Sequence, residues 1–372
     1  FKKFIFQNLF QKMVYLSIGT NLGDRLKFLQ LAVGIISYRI SKIRNVSGIY
    51  ETPAMGFKGN PFYNICVEIS TDLEPKPLLE KLLDIEKYLG RVRSLNRKLK
   101  SREIDIDIVY YNNLIIKDNE LLIPHESMHE RNFVLYPLLE INSTLKDPRN
   151  GKSIQTLLNN SIDSVIPKKI EQKIIIPKVK KVIAVEGLIG IGKTEFSKNL
   201  SGALFGELVL EEFNEVNLDK FYNNPTKNVF ETEKSFLELR IKQHKEYKTR
   251  KTYPQIFDYL PDKSIIFAKK NMSRFEFIKF QKDFNRCLDI FISPEIVIFL
   301  EQKTSYILKK IKKRGRKFEK KIDLKYLDFI EFEYNNWKTK TKFKILNIDI
   351  NRSDFKNDHS VFLNFLNLFF KH

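Results

Sequence analysis

Hydrophobic and polar positions follow two different rhythms along this chain, and the rhythm changes near residue 180. Before it, strand-like runs at Val14–Ile18, Phe62–Ser70 and Glu103–Tyr110 mix with two stretches, Asp24–Ile40 and Pro77–Leu89, whose apolar residues recur at helical spacing. Helices among hairpin-like strands, without a repeated strand–helix–strand alternation, predict an α+β domain. The segment Asn159–Lys181 is polar and basic, holds Pro167 and Pro177, and reads as a linker. Beyond it, Val182–Glu186 is a short apolar strand, a glycine turn follows, and Lys193–Leu204 continues as a helix. Long helical patterns then dominate, with a buried-type strand at Ile296–Leu300, which predicts an α/β fold on a parallel sheet. The expected division is an extension over 1–12, a first domain over 13–160, a linker over 161–180 and a second domain over 181–372.

Composition narrows the class. The 372 residues are 42% hydrophobic and 13% aromatic, enough for two globular cores. No apolar run approaches the ~18 residues of a membrane helix, so no membrane partner is expected. Cys66 and Cys287 are far apart without metal-type spacing, which points to a reduced, cytoplasmic setting. The aromatic and basic 1–12 segment precedes Met13 and is read as an extension without a role in the chemistry. A net charge of +20 raises nucleic acid as a partner, but no recognisable nucleic-acid-binding motif supports it. Acidic small-molecule substrates account for the charge equally well.

The sharpest chemistry of the first half is Arg102-Glu103-Ile104-Asp105-Ile106-Asp107-Ile108. On a strand, Ile104, Ile106 and Ile108 turn to the core, leaving Asp105 and Asp107 about 7 Å apart on the other face. Paired carboxylates of this kind suit Mg2+, which takes one or two carboxylates together with substrate phosphates. Arg91, Arg93, Arg102 and Arg131 carry guanidinium forks that match phosphate oxygens.

Six motifs, in this order, resemble 6-hydroxymethyl-7,8-dihydropterin pyrophosphokinase: Gly19-Thr20-Asn21-Leu22-Gly23-Asp24, Tyr50-Glu51-Thr52-Pro53, Asn60-Pro61-Phe62-Tyr63-Asn64, Gly90-Arg91-Val92-Arg93, the Asp105/Asp107 pair, and Pro124-His125 with Arg131. The resemblance covers roughly 13–160 and implies a ferredoxin-like α+β sandwich. It implies that Asp105 and Asp107 hold two Mg2+ ions and that Arg91, Arg102, His125 and Arg131 contact a triphosphate. It also implies a pterin pocket of Thr52, Pro53, Phe62, Asn64 and Phe133. The reaction implied moves pyrophosphate from ATP to the pterin hydroxymethyl oxygen, a step of folate synthesis. Thr52-Pro53-Ala54 and the loop 97–101 depart from the family pattern.

In the second half, Gly187-Leu188-Ile189-Gly190-Ile191-Gly192-Lys193-Thr194 has the full P-loop spacing between a strand and a helix. Gly187, Gly190 and Gly192 free the backbone to cradle phosphates, Lys193 reaches the outer phosphates, and Thr194 offers a hydroxyl to Mg2+. The flanking residues resemble the deoxynucleoside kinases: Val185-Glu186-Gly187, Glu211-Glu212-Phe213, Phe221-Tyr222, Phe236-Leu237-Glu238-Leu239-Arg240, Ile265-Ile266-Phe267-Ala268, and Ile311–Arg316 with Glu319. That resemblance implies Glu211 as general base for a sugar 5′-hydroxyl, with Glu212 as fallback. It implies Glu233 and Arg240 facing the nucleobase, and Arg314 and Arg316 closing as a lid. An ionised Glu233 only accepts hydrogen bonds, so amino-bearing bases are expected to be preferred over thymine. Asp258-Tyr259 lacks the arginine that the family usually carries there.

The expected whole is a bifunctional enzyme: a pterin pyrophosphokinase and a deoxynucleoside kinase, both using MgATP, with a homodimer through the second domain left open. Two alternatives are an active pyrophosphokinase with a degenerate, regulatory P-loop module, and a basic nucleic-acid-binding ATPase.

Overall fold

The computed structural model describes residues 12–92, 100–212, 225–316, 319, 322–350 and 358–372. It divides into two compact units: one of 12–179 with 363–372, the other of 180–362.

The first unit is built on an antiparallel sheet. Its strands are β1 (Lys12–Thr20), β2 (Ile43–Val46), β3 (Ile49–Thr52), β4 (Phe62–Thr71) and β5 (Asp105–Tyr111). Ile116–Lys117 (β6) and Leu122–Ile123 (β7) pair as a separate hairpin. The expected linker is not free of structure: Lys168–Ile170 forms β8, which adds to the edge of the sheet beside β3. The order is β5-β1-β4-β3-β8, with β2 also paired to β4. The expected strands lie within β1, β4 and β5, the last beginning at Asp105 rather than Glu103.

Two helices fall where the 3.6-residue pattern puts them. Arg25–Arg39 (α1) starts at Asp24, whose carboxylate accepts the N–H of Lys27 and satisfies a helix-end donor. Pro75–Tyr88 (α2) places proline at its start, where a missing N–H is harmless. Ile104, Ile106 and Ile108 are buried while Asp105 and Asp107 are partly exposed, so the alternation on β5 works as expected; β1 is buried continuously from Val14 to Ile18. Asn132–Ile141 (α3) and Ile154–Asn159 (α4) close a second core over Tyr15, Cys66, Val109 and Tyr110. Within this unit Phe370 packs so closely on Gly34 of α1 that a Cβ there would lie 2.1 Å from its ring.

The second unit is a five-stranded parallel sheet: β9 (Val182–Gly187), β10 (Glu207–Val209), β11 (Gln255–Phe257), β12 (Ile296–Glu301) and β13 (Ile345–Asp349), in the order β10-β11-β9-β12-β13. All six residues of β9 are buried, and Val182–Val185 is the continuous apolar run expected of a central parallel strand. Its helices are α5 (Lys193–Leu204), α6 (Pro225–Lys248), α7 (Lys263–Asn271), α8 (Arg274–Asn285), α9 (Thr304–Arg314) and α10 (Leu324–Lys340); of α11 (His359–Lys371), the part from Leu363 belongs to the first unit. Among the described residues no helix is long and apolar enough to cross a membrane.

Candidate functional site

In the first unit the strand register assembles a site. Gly19 stands opposite Asn64 on one side and Asp105 on the other, and Ser17 opposite Asp107. Cross-strand partners share a face, so these residues form the floor of a cavity of about 660 Å3. Gly19 is required by close approach, since a Cβ would sit 2.9 Å from Asn64 Oδ1. Asn64 is buried, and its Nδ2 donates to Thr52 Oγ1 at 3.0 Å, which fixes the amide and turns Oδ1 the other way.

Every described first-half residue assigned above lines this cavity: Asp105 and Asp107; Arg91, Arg102, His125 and Arg131; Thr52, Pro53, Phe62, Asn64 and Phe133. Arg93 lies outside the described residues. Arg91 and Arg102 both pair with Asp105. Arg91 also pairs with Glu86, a buried carboxylate on α2 whose Oε1 accepts the Ile106 N–H at 2.8 Å. Burial pushes Asp107 up to about 7, with Asp105 and Glu86 adding to the effect. His125 is held below its ordinary value by burial and then by Arg131, and so presents a neutral imidazole at pH 7. Hard carboxylate oxygens side by side at the floor are the donor set Mg2+ favours, so the residues fit that ion.

In the second unit the β9–α5 turn has the backbone geometry that the P-loop pattern predicts. Gly187, Gly190 and Gly192 have φ of 147°, 81° and 116°, values that favour glycine. Gly190 has a second constraint, because a Cβ would lie 2.5 Å from Ile311 Cγ1 on α9. Lys193 Nζ donates to the Gly187 and Leu188 carbonyls at 2.7 and 3.2 Å and lies 3.7 Å from Glu186. The Thr194 hydroxyl donates to Asp258 Oδ2 at 2.7 Å, and Asp258 Oδ1 accepts the Glu211 N–H at the same distance.

Glu211 is clamped. Arg240 donates to its Oε1 from Nε at 3.1 Å and from Nη2 at 2.5 Å, while Lys263 Nζ donates to Oε2 at 2.6 Å. Burial works to raise its pKa, but Lys263 and Arg240 outweigh that and hold it at about 2. Glu233 and Arg240 are 4% and 5% exposed, so Glu233 is no surface residue. Glu233 makes no hydrogen bond among the described residues, and burial lifts it to about 7 against the pull of Arg240 and Lys263. This corrects the expectation of a fully ionised Glu233: near neutrality the acid and its anion are both populated. Arg314 pairs with Glu319, with Arg316 3.9 Å from the same carboxylate, at the exposed end of α9.

Comparison with known proteins matches residues 15–143 to the 7,8-dihydro-6-hydroxymethylpterin-pyrophosphokinase (HPPK) model and residues 183–371, half of the chain, to the deoxynucleoside kinase model. The 2-amino-4-hydroxy-6-hydroxymethyldihydropteridine pyrophosphokinase of Bacillus subtilis is 40% identical over 131 residues, 35% of this chain and 77% of that protein. The chain belongs to both families. The same-named protein of Haemophilus influenzae is 38% identical over 152 residues, 40% of this chain and 92% of its own length. The folic acid synthesis protein fol1 of Pneumocystis carinii is 42% identical over 151 residues, 40% of this chain, but the chain spans only 20% of that protein. Among solved structures, deoxyadenosine kinase from M. mycoides with dCMP and dCDP bound is 27% identical, with a TM-score of 0.45, over 50% of this chain and 99% of that one.

Three residues of these sites escaped the motif reading. In the HPPK-family half, Glu86 holds Arg91 and the strand between the two aspartates; only its place five residues before Arg91 hinted at it. Asp163, from the stretch expected to be linker, lines the cavity and accepts the Asn132 N–H at 2.9 Å. In the deoxynucleoside kinase-family half, Lys263 sits just before the quoted Ile265–Ala268 motif and had no signal of its own.

Proposed function

We propose that the chain catalyses two MgATP-dependent transfers: pyrophosphate to the hydroxymethyl oxygen of 6-hydroxymethyl-7,8-dihydropterin, releasing AMP, and the γ-phosphoryl group to the 5′-hydroxyl of a deoxynucleoside, releasing ADP. The first is assigned to the unit of 12–179, read as a ferredoxin-like sandwich, and the second to the unit beginning at Lys180. The observation that carries the reading is one cavity of the first unit. It joins an acidic pair, three arginines and a histidine to an aromatic pocket with a fixed amide.

In that cavity Phe62 and Phe133 supply apolar faces for a planar ring. Asn64, oriented by Thr52, offers Oδ1 to ring N–H groups. Arg91, Arg102 and Arg131 provide forks for triphosphate oxygens, and neutral His125 donates without adding charge. Asp105 and Asp107 would hold two Mg2+ ions, which when bound would offset phosphate charge. The rate then comes from in-line positioning and charge neutralisation.

In the second unit the P-loop amides and Lys193 would hold the donor phosphates, with Thr194 turned toward the metal position. Glu211 is ionised throughout the working range, so it accepts the 5′-hydroxyl proton and aims that oxygen at the γ-phosphorus. Glu233 and Arg240 would meet the base, and Arg314 and Arg316 would close on the phosphates. The testing experiment is a product assay with ATP and each acceptor in turn: AMP with the pterin and ADP with a deoxynucleoside support the reading. AMP formation lacking with the pterin, or ADP lacking with all four deoxynucleosides, removes the corresponding half.

A further inference from the structure

Lys263 is the least expected charge in the second unit. It occupies the first position of α7, where the helix presents the positive end of its dipole and a cation is disfavoured. A residue placed against a local rule is where function is expected. Its side chain is 13% exposed and its Nζ donates to Glu211 Oε2 at 2.6 Å. Arg240 takes the opposite oxygen but is itself fixed, bonded to Ser264 Oγ and packed against the Phe236 ring. Lys263 reaches Glu211 on a four-carbon stem, and its charge is also felt at Lys193 in the phosphate cradle. The groups facing Glu211 are therefore Arg240 and Glu233 from α6, Lys263 from α7, Asp258 and Tyr259 after β11, Lys193 at the start of α5, and Tyr334 from α10.

We propose that Lys263 is a positioning residue of the second reaction, whose ammonium holds the Glu211 carboxylate as proton acceptor beside the phosphate cradle. The inference rests on the deoxynucleoside kinase reading. In the step it serves, the O–H bond of the 5′-hydroxyl breaks and its proton passes to Glu211. The 5′-oxygen bonds the γ-phosphorus as the bond to the β,γ-bridging oxygen breaks, and ADP leaves with that electron pair. Lys263 exchanges no proton. Arg240 alone leaves one carboxylate oxygen unpaired in a buried setting, where protonation becomes the cheaper state.

The test uses the full chain and follows ADP formation with the best of the four deoxynucleosides from about pH 5 to 9. Wild type should show kcat/KM without an acid limb in that range. Lys263→Met should lower kcat by about 100-fold at pH 7 and bring an acid limb into view, displaced upward by at least about one pH unit. Lys263→Arg should restore the flat profile. Misfolding lowers the amplitude of activity but does not move the limb. Should Lys263→Met fail to fold, Lys263→Gln is measured in its place, with the same expectation. An unmoved profile in the neutral variant overturns the inference, whatever its kcat. Wild type that makes AMP with the pterin but no ADP with any deoxynucleoside overturns the kinase reading itself, and the inference with it.

Discussion

Glu86 Oε1 accepts the backbone N–H of Ile106 at 2.8 Å, and Ile106 is the residue between Asp105 and Asp107. One buried carboxylate on α2 thus anchors the outer edge of the strand that presents both aspartates, while pairing with Arg91. Glu86→Gln keeps an oxygen for the Ile106 N–H but loses the charge that holds Arg91. It should lower AMP-forming turnover while keeping most stability. Glu86→Ala removes both contacts and leaves Arg91 short of a partner, and should cost about 3 kcal/mol in denaturant unfolding. Equal stability of the two variants would mean that Glu86 does not anchor the strand.

Asp107→Ala should abolish AMP formation without loss of the fold. The carboxylate is raised to about 7 by burial and by its acidic neighbours, so the protein gains nothing in stability from its charge. Steady-state turnover retained within about tenfold, ~1.4 kcal/mol of barrier, contradicts a metal-holding role.

Gly190→Ala should disable the phosphate cradle. Its φ of 81° strains any side chain, and the new Cβ would meet Ile311 at 2.5 Å. The strain is about 1–3 kcal/mol, and the loop is the part free to move. ATP affinity at the second site should therefore fall more than the melting temperature does. Calorimetric ATP titrations of wild type and Gly190→Ala check this, since the first site is the same in both.

Glu233 should make base choice depend on pH. Below about 7 the neutral acid both donates and accepts, whereas above it the anion only accepts. The kcat/KM ratio of deoxyadenosine or deoxycytidine over thymidine should rise between about pH 6 and 8, to roughly tenfold, because the anion meets thymine's carbonyl with repulsion. Glu233→Gln should flatten that slope. The same group affects stability: its folded pKa of about 7 exceeds the ordinary 4.5. Its favourable contribution is therefore complete below the unfolded pKa and is lost as pH rises through about 7. Glu233→Gln should be the more stable form at pH 8, on the order of 3 kcal/mol, and no more stable at pH 4. A ratio and a stability difference that ignore pH would place Glu233 outside the role argued for it.

Local pattern sufficed for what local chemistry decides. The alternation Ile104-Asp105-Ile106-Asp107-Ile108 separates core from site because a strand has a period of two. The P-loop was legible because its glycines serve backbone geometry within eight residues. Glu86 and Lys263 were not, since each gains its meaning from a partner brought near by the fold: Ile106 from another element, and Glu211, 52 residues away. Lys168–Ile170 resembled linker because three residues, two of them lysine, show no period. Only the open edge of β3 makes them a strand. The ionisation of Glu233 was misjudged for a related reason, as burial is a property of the packed helix α6 and not of the residue.

The central claim is that two separate kinase sites share this chain, and the most direct measurement crosses one variant of each with both product assays. Full-length wild type, Asp107→Ala and Lys193→Ala are each given MgATP with 6-hydroxymethyl-7,8-dihydropterin, and then with a deoxynucleoside, while AMP and ADP are quantified. The account predicts that Asp107→Ala loses AMP alone and Lys193→Ala loses ADP alone. Loss of both products in either variant, or pterin-dependent AMP that needs Lys193, would contradict it.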